Sequence, residues 1–103
     1  SGCSHQVVTG IALLTDQGAQ AEAVVSTVTF ATLASHQIEV YCDTGEPFGK
    51  AGAYAIQGIG ASFVQHISGS YSGIVGLPLY ETCRLLRRSG LIWSVWSQEG
   101  QDE

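Results

Sequence analysis

Apolar positions change their period along the chain, and each period predicts an element. From His5 to Thr15 apolar and polar residues first alternate and then run together (Val7, Val8, Ile11, Leu13, Leu14), as in a strand buried on at least one face. Asp16-Gln17-Gly18 supplies turn chemistry. The next stretch is rich in valine and threonine, with Val24, Ser26, Val28 and Phe30 facing one way and Val25, Thr27 and Thr29 the other. The two stretches predict an antiparallel hairpin, residues 5–15 with 20–32.

At Ser35 the period lengthens. Ser35 reads as an N-cap, with Ile38, Tyr41 and Cys42 at helical spacing, and Gly45 then Pro47 stop the helix. A glycine-rich segment follows, then a strand at Ala61–Ile67, a Gly69-Ser70 turn and a short strand at Tyr71–Val75. Pro78 opens a helix that runs to about Arg88, with Leu79, Cys83, Leu85 and Leu86 as its apolar stripe and Ser89-Gly90 closing it. The order β-β-α-loop-β-β-α predicts an α+β fold over residues 1–90. Residues 91–103 read as a tail: Leu91, Ile92, Trp93, Val95 and Trp96 are strongly apolar, and the end is polar and acidic. Such a tail either packs its tryptophans or stays disordered.

Composition narrows this to one packed domain. A chain of 103 residues builds a single modest core, and 45% hydrophobic against 13% charged residues argues against disorder. No apolar run reaches the length of a membrane span, and the start lacks the basic-then-apolar order of a signal peptide. The expectation is a soluble, cytoplasmic protein. Net charge is −5, and three of the four cationic side chains (Arg84, Arg87, Arg88) fall on the last predicted helix, near its C-terminus. A basic surface for tracking a nucleic-acid polymer is missing. A small phosphorylated ligand stays in reach, because backbone N–H groups carry much of such binding. Cys3, Cys42 and Cys83 are too widely spaced for a zinc knuckle or redox motif and read as free thiols.

Chemistry concentrates in the glycine-rich run. Most of the 13 glycines fall between Gly45 and Gly76, and the only lysine, Lys50, lies among them. Glycines this dense either turn tight corners or let something approach the backbone closely. Lys50 is either a solvated loop lysine or a point charge toward phosphate. Gln57, between Ile56 and Gly58 in an apolar stretch, looks buried; its amide both donates and accepts, as reading a pyrimidine edge requires. Neither a Walker loop nor a dinucleotide fingerprint fits the spacing. His5, His36 and His66 lack metal spacing, and no Gly-x-Ser-x-Gly elbow appears. Asp43 and Glu46 flank the loop, as a helix end and a turn or as a magnesium contact.

The segment Gly45-Glu-Pro-Phe-Gly-Lys-Ala-Gly-Ala-Tyr-Ala-Ile-Gln-Gly58, followed by Gly69-Ser-Tyr-Ser-Gly-Ile-Val-Gly-Leu-Pro-Leu79, closely resembles the Maf family of nucleoside triphosphate pyrophosphatases. Ser1-Gly2 with His5-Gln-Val-Val-Thr-Gly-Ile-Ala-Leu13 resembles that family's mid-chain segment, and the collinear likeness covers roughly residues 1–90. The resemblance implies a partial inosine-triphosphatase-like fold with a mixed sheet and a nucleotide cleft between two lobes. It implies hydrolysis of a nucleoside triphosphate to the monophosphate and pyrophosphate with a divalent metal, magnesium or manganese. Ala-Tyr-Ala-Ile-Gln-Gly is similar to the branch acting on dTTP and UTP, in which the glutamine matching Gln57 sets base specificity. Gln57 and Lys50 are therefore the expected substrate-binding residues. Two positions depart from the family pattern: Gly49 stands where Asp is usual, and Ala55 where Gly is usual.

The family's Ser-x-Ser-Pro-Arg-Arg and Gly-Ala-Asp-Thr segments, which supply triphosphate-clamping arginines and the catalytic acid, are not among these residues. By resemblance the chain reads as a C-terminal half, with no assignable catalytic residue, impaired or inactive alone. The alternative expectation is a non-catalytic piece that binds nucleotide or pairs with a second copy, as a homodimer, through open sheet edges.

Overall fold

A computed structural model describes residues 1–90. The first two strands form a long antiparallel hairpin, β1 (Ser4–Thr15) and β2 (Gly18–Phe30), joined by the two-residue turn Asp16-Gln17. A third strand, β3 (Val64–Ser68), pairs antiparallel with β2, and the register slips between Thr29 and Phe30. Sheet order is β1-β2-β3. The described sheet is thus wholly antiparallel, not the mixed sheet that the family resemblance implied. Only β1 and β2 are joined by a hairpin turn; β3 returns beside β2 after the long connection of residues 31–63, which carries α1 and the glycine-rich loop.

Three helices complete the described chain: α1 (Ser35–Asp43), α2 (Tyr71–Val75) and α3 (Leu79–Arg88). The α+β class stands. Helix α1 begins one residue earlier than its serine implies: Ala34 is the N-cap, and Gln37 Oε1 accepts the Ala34 N–H at 2.7 Å. The predicted strand at Ala61–Ile67 starts late, because a short 3-10 helix takes Ile59–Phe63 first.

Tyr71–Val75 is a helix where alternation predicted a strand. Hydroxyl groups decide this. Ser70 Oγ caps the helix by accepting the Gly73 N–H at 2.9 Å, and Ser72 Oγ accepts the Leu79 N–H at 2.9 Å. Thr9 Oγ1 on β1 donates to the Gly73 carbonyl at 2.8 Å. Those local and tertiary bonds outweigh the weak strand preference of Ile74 and Val75.

The inward face of β2 holds the core as the alternation requires. Val24, Ser26 and Val28 are buried, Val28 completely, and Leu85 of α3 and Pro78 are buried beside other parts of the fold. On α3 only Leu85 is buried; Leu79 is exposed and Cys83 and Leu86 are half-buried. An ion pair between Arg84 and Glu22 ties α3 to β2. The other face of the hairpin stays open: Val8 and Val25, paired in register, are 63% and 51% exposed, and Leu14 is 80% exposed. The described residues measure 53 × 25 × 21 Å, and a 12-residue strand of ~40 Å accounts for most of the long axis. Among the described residues no helix is long and apolar enough to cross a membrane. The expected tail, 91–103, lies outside the described residues.

Candidate functional site

The glycine-rich loop folds around one carboxylate. Helix α1 ends at a Thr44 whose Oγ1 donates to the Tyr41 carbonyl at 2.6 Å and accepts the Glu46 N–H at 3.1 Å, so the chain turns sharply there. That turn aims the Glu46 side chain back at the loop. Its Oε1 accepts the Ile59 N–H and its Oε2 the Gly60 N–H, both at 2.9 Å, and Tyr41 Oη donates to Oε2 as well. Tyr41 Oη in turn accepts the Ala55 N–H at 3.1 Å. The Tyr41 ring is buried against Phe63, edge to face at 5.1 Å between centroids.

Two glycines make room for this arrangement. A Cβ at position 58 would lie 2.1 Å from Glu46 Oε1, and one at position 60 would lie 2.8 Å from the Ala55 carbonyl oxygen and 2.9 Å from Tyr41 Oη. Electrostatics follow the bonding. The Tyr41 hydrogen bond, with those of Gly60 and Ile59 and the nearby Lys50 charge, holds the Glu46 carboxyl below its usual value although partial burial opposes this. Burial first, then the bond to Glu46, pushes the Tyr41 phenol up.

On its outer side the loop faces a cleft with two lobes. Lys50 and Gln57 both line the first lobe, of about 230 Å³, with Ile56 of the loop and Ile74 and Val75 of α2. The second lobe, of about 250 Å³, adds His5, Gln6 and Val7 of β1 and shares Ala51, Tyr54, Ile56 and Ile74 with the first. Tyr54 is fixed across the gap. Its Oη and His5 Nε2 share a hydrogen bond of 3.0 Å, and Phe30 meets its ring edge-on at 4.8 Å. Burial raises the Tyr54 phenol as well.

Lys50 and Gln57 line the same lobe, and Gln57 is exposed there and not buried as its apolar neighbours implied. Sequence reasoning missed Tyr41, Tyr54 and His5. It left Glu46 as a turn residue or magnesium contact, and no local signal distinguishes that from its role as the acceptor of three donors. The donor set does not fit a protein-held metal: the Glu46 carboxylate is already taken, and no cluster of three His, Cys, Asp or Glu residues lies among the described residues.

This loop, cleft and hairpin come from one collinear stretch of known kind, since the model of the Maf-like protein family matches residues 1–89. The chain belongs to the Maf family. Among its similar relatives, the dTTP/UTP pyrophosphatase of Colwellia psychrerythraea is 50% identical over 95 residues, 92% of this chain and 45% of the relative. That of Xanthomonas euvesicatoria is 57% identical over 91 residues, 87% of this chain and 48% of the relative. The dTTP/UTP pyrophosphatase of Bordetella avium is 48% identical over 91 residues, 88% and 45% respectively. The chain therefore spans about half the length of the curated relatives it matches. Those proportions lend no support to the expectation of a C-terminal half, nor do they show truncation or impairment. Family membership rests on almost all of the described residues.

Proposed function

We propose that this chain contributes the recognition part of a nucleotide cleft that serves hydrolysis of dTTP and UTP to the monophosphate and pyrophosphate. The carrying observation is that Lys50 and Gln57 face the same lobe of about 230 Å³ in a chain of the Maf family. Lys50 is the point charge toward phosphate. Gln57 reads the base: its carbonyl oxygen accepts the N3–H shared by uracil and thymine, while its amide N–H donates to a neighbouring ring carbonyl. Cytosine carries an acceptor at N3 and an amino group at C4, so it fits only if the amide turns over, and discrimination against it requires the cleft to hold the Gln57 amide in one orientation. A magnesium or manganese ion belongs to the proposal as a companion of the triphosphate, because such ions keep their waters and bind through substrate phosphates. The reaction's catalytic carboxylate and clamping arginines are not assigned to any residue here, so the isolated chain binds nucleotide with little turnover.

Calorimetric titration of the chain with UTP, dTTP and CTP, with magnesium, tests recognition. Saturable binding that favours UTP and dTTP is expected; equal affinity for CTP would remove base reading from the cleft. Gln57→Glu replaces a donor-acceptor pair by acceptors alone. It is expected to lower the UTP preference about tenfold to a hundredfold, the scale of one or two hydrogen bonds left unpaired. Pyrophosphate release from UTP well above background by the chain alone would overturn the assignment of catalysis to other residues.

The open hairpin face favours a second reading, a piece that pairs with a second copy of itself. Sedimentation velocity over a hundredfold range of concentration separates the two readings, since nucleotide binding needs no change of mass.

A further inference from the structure

Glu46 lines neither lobe of the cleft, yet its contacts bracket both residues that do the recognising. Gln57 lies between two tethered amides: Ala55 N–H is held by Tyr41 Oη, and Ile59 N–H by Glu46 Oε1. Lys50 lies between Glu46 itself and tethered Ala55. We propose that Glu46 is the positioning residue of the cleft: gripped by Tyr41 Oη and the Ile59 and Gly60 amides, its carboxylate fixes where Lys50 and Gln57 present their polar atoms. This rests on the reading of Lys50 and Gln57 as the nucleotide contacts.

Three arguments carry it. A loop of glycines and alanines has little apolar side chain to pack, so polar tethers must supply its order. Prior ordering removes a cost that the ligand would otherwise meet on binding. A carboxylate is also the group that three converging donors require, since a glutamine amide offers one acceptor oxygen and turns its own N–H groups toward the remaining donors. A side chain is excluded at Gly58 by the carboxylate and at Gly60 by its tyrosine and the Ala55 backbone, so the loop sequence just after Gln57 is built around the Glu46–Tyr41 pair.

The experiment is NMR of the chain with the side-chain amide of Gln57 and the ε-methylene of Lys50 as reporters, comparing wild type, Glu46→Gln and Tyr41→Phe, each free and titrated with UTP. In free Glu46→Gln the two reporters shift and broaden while the β1–β2 amides stay in place, and UTP affinity falls about tenfold, the scale of a lost charge-assisted hydrogen bond. Tyr41→Phe, which removes one donor of the three, moves the same reporters less. Unmoved Gln57 and Lys50 signals beside altered Ile59 and Gly60 amides would reduce Glu46 to a local cap and overturn the proposal. Should Glu46→Gln fail to fold, Tyr41→Phe decides alone on the same reporters. A wild-type chain that ignores UTP counts against the recognition reading only, because the reporters in the free protein still decide the positioning role.

Discussion

Tyr41 and Glu46 share one hydrogen bond, and their pKa values move apart: burial first and then that bond raises the phenol, while the bond leads in lowering the carboxyl. Each displacement is a statement about stability at a different end of the pH scale. A lowered carboxyl stabilises the fold at pH above the ordinary glutamate value of 4.5, and that contribution is lost as pH falls through the lower folded value. A raised phenol stabilises it below the ordinary tyrosine value of 10.0, and that contribution is lost as pH rises through the higher folded value. Urea denaturation across pH should therefore give a plateau with an acid and an alkaline limb. Tyr41→Phe should flatten the alkaline limb and shrink the acid one, while Glu46→Gln should flatten the acid limb most. An acid limb unchanged in Glu46→Gln would mean that another carboxyl is responsible.

Helix α2 shows what the elements owe to hydroxyl groups. Ser26 is 2% exposed on β2, and its Oγ accepts the Ser70 N–H at 2.9 Å while donating to the Ser70 carbonyl at 3.3 Å. It fastens the residue that caps α2 to the sheet that α2 covers. Ser26→Ala leaves both backbone groups without that partner and is expected to cost about 1–3 kcal/mol in urea denaturation. A loss below about 0.5 kcal/mol would show that water takes over the hydroxyl's bonds. The same hydroxyls explain how far the sequence was legible. The hairpin and α3 could be read because their periods are long and their burial one-sided: Val24, Ser26 and Val28 turn inward as alternation requires. Tyr71–Val75 could not, because five residues are too few for a period and its state is settled by Ser70, Ser72 and distant Thr9. At the site, Lys50 and Gln57 were legible as chemistry. The carboxylate that tethers their loop was not, since the amides it meets lie 13 and 14 residues on.

For the whole molecule the consequential fact is the one-sided covering of the hairpin. Among the described residues α2 and α3 cover one face, and the other presents Val8, Val25 and Leu14 to solvent, with β1 as a 12-residue edge strand. Long apolar edges and faces of this kind drive association. Val8→Lys with Leu14→Lys is expected to reduce light scattering at high concentration while leaving UTP affinity unchanged, because neither residue lines the cleft. Scattering that persists in the double variant would locate association on another surface.

The three-donor grip on Glu46 also divides labour within the loop. Holding falls to residues 41, 46, 59 and 60, with Gly58 leaving room for the carboxylate, and none of them offers a side chain to the cleft; in the proposed function reading falls to residue 57, whose side chain no part of the grip requires. Specificity can then drift, or be redesigned, by exchanging that single side chain on an unchanged frame, whereas changes at the frame would alter every base alike.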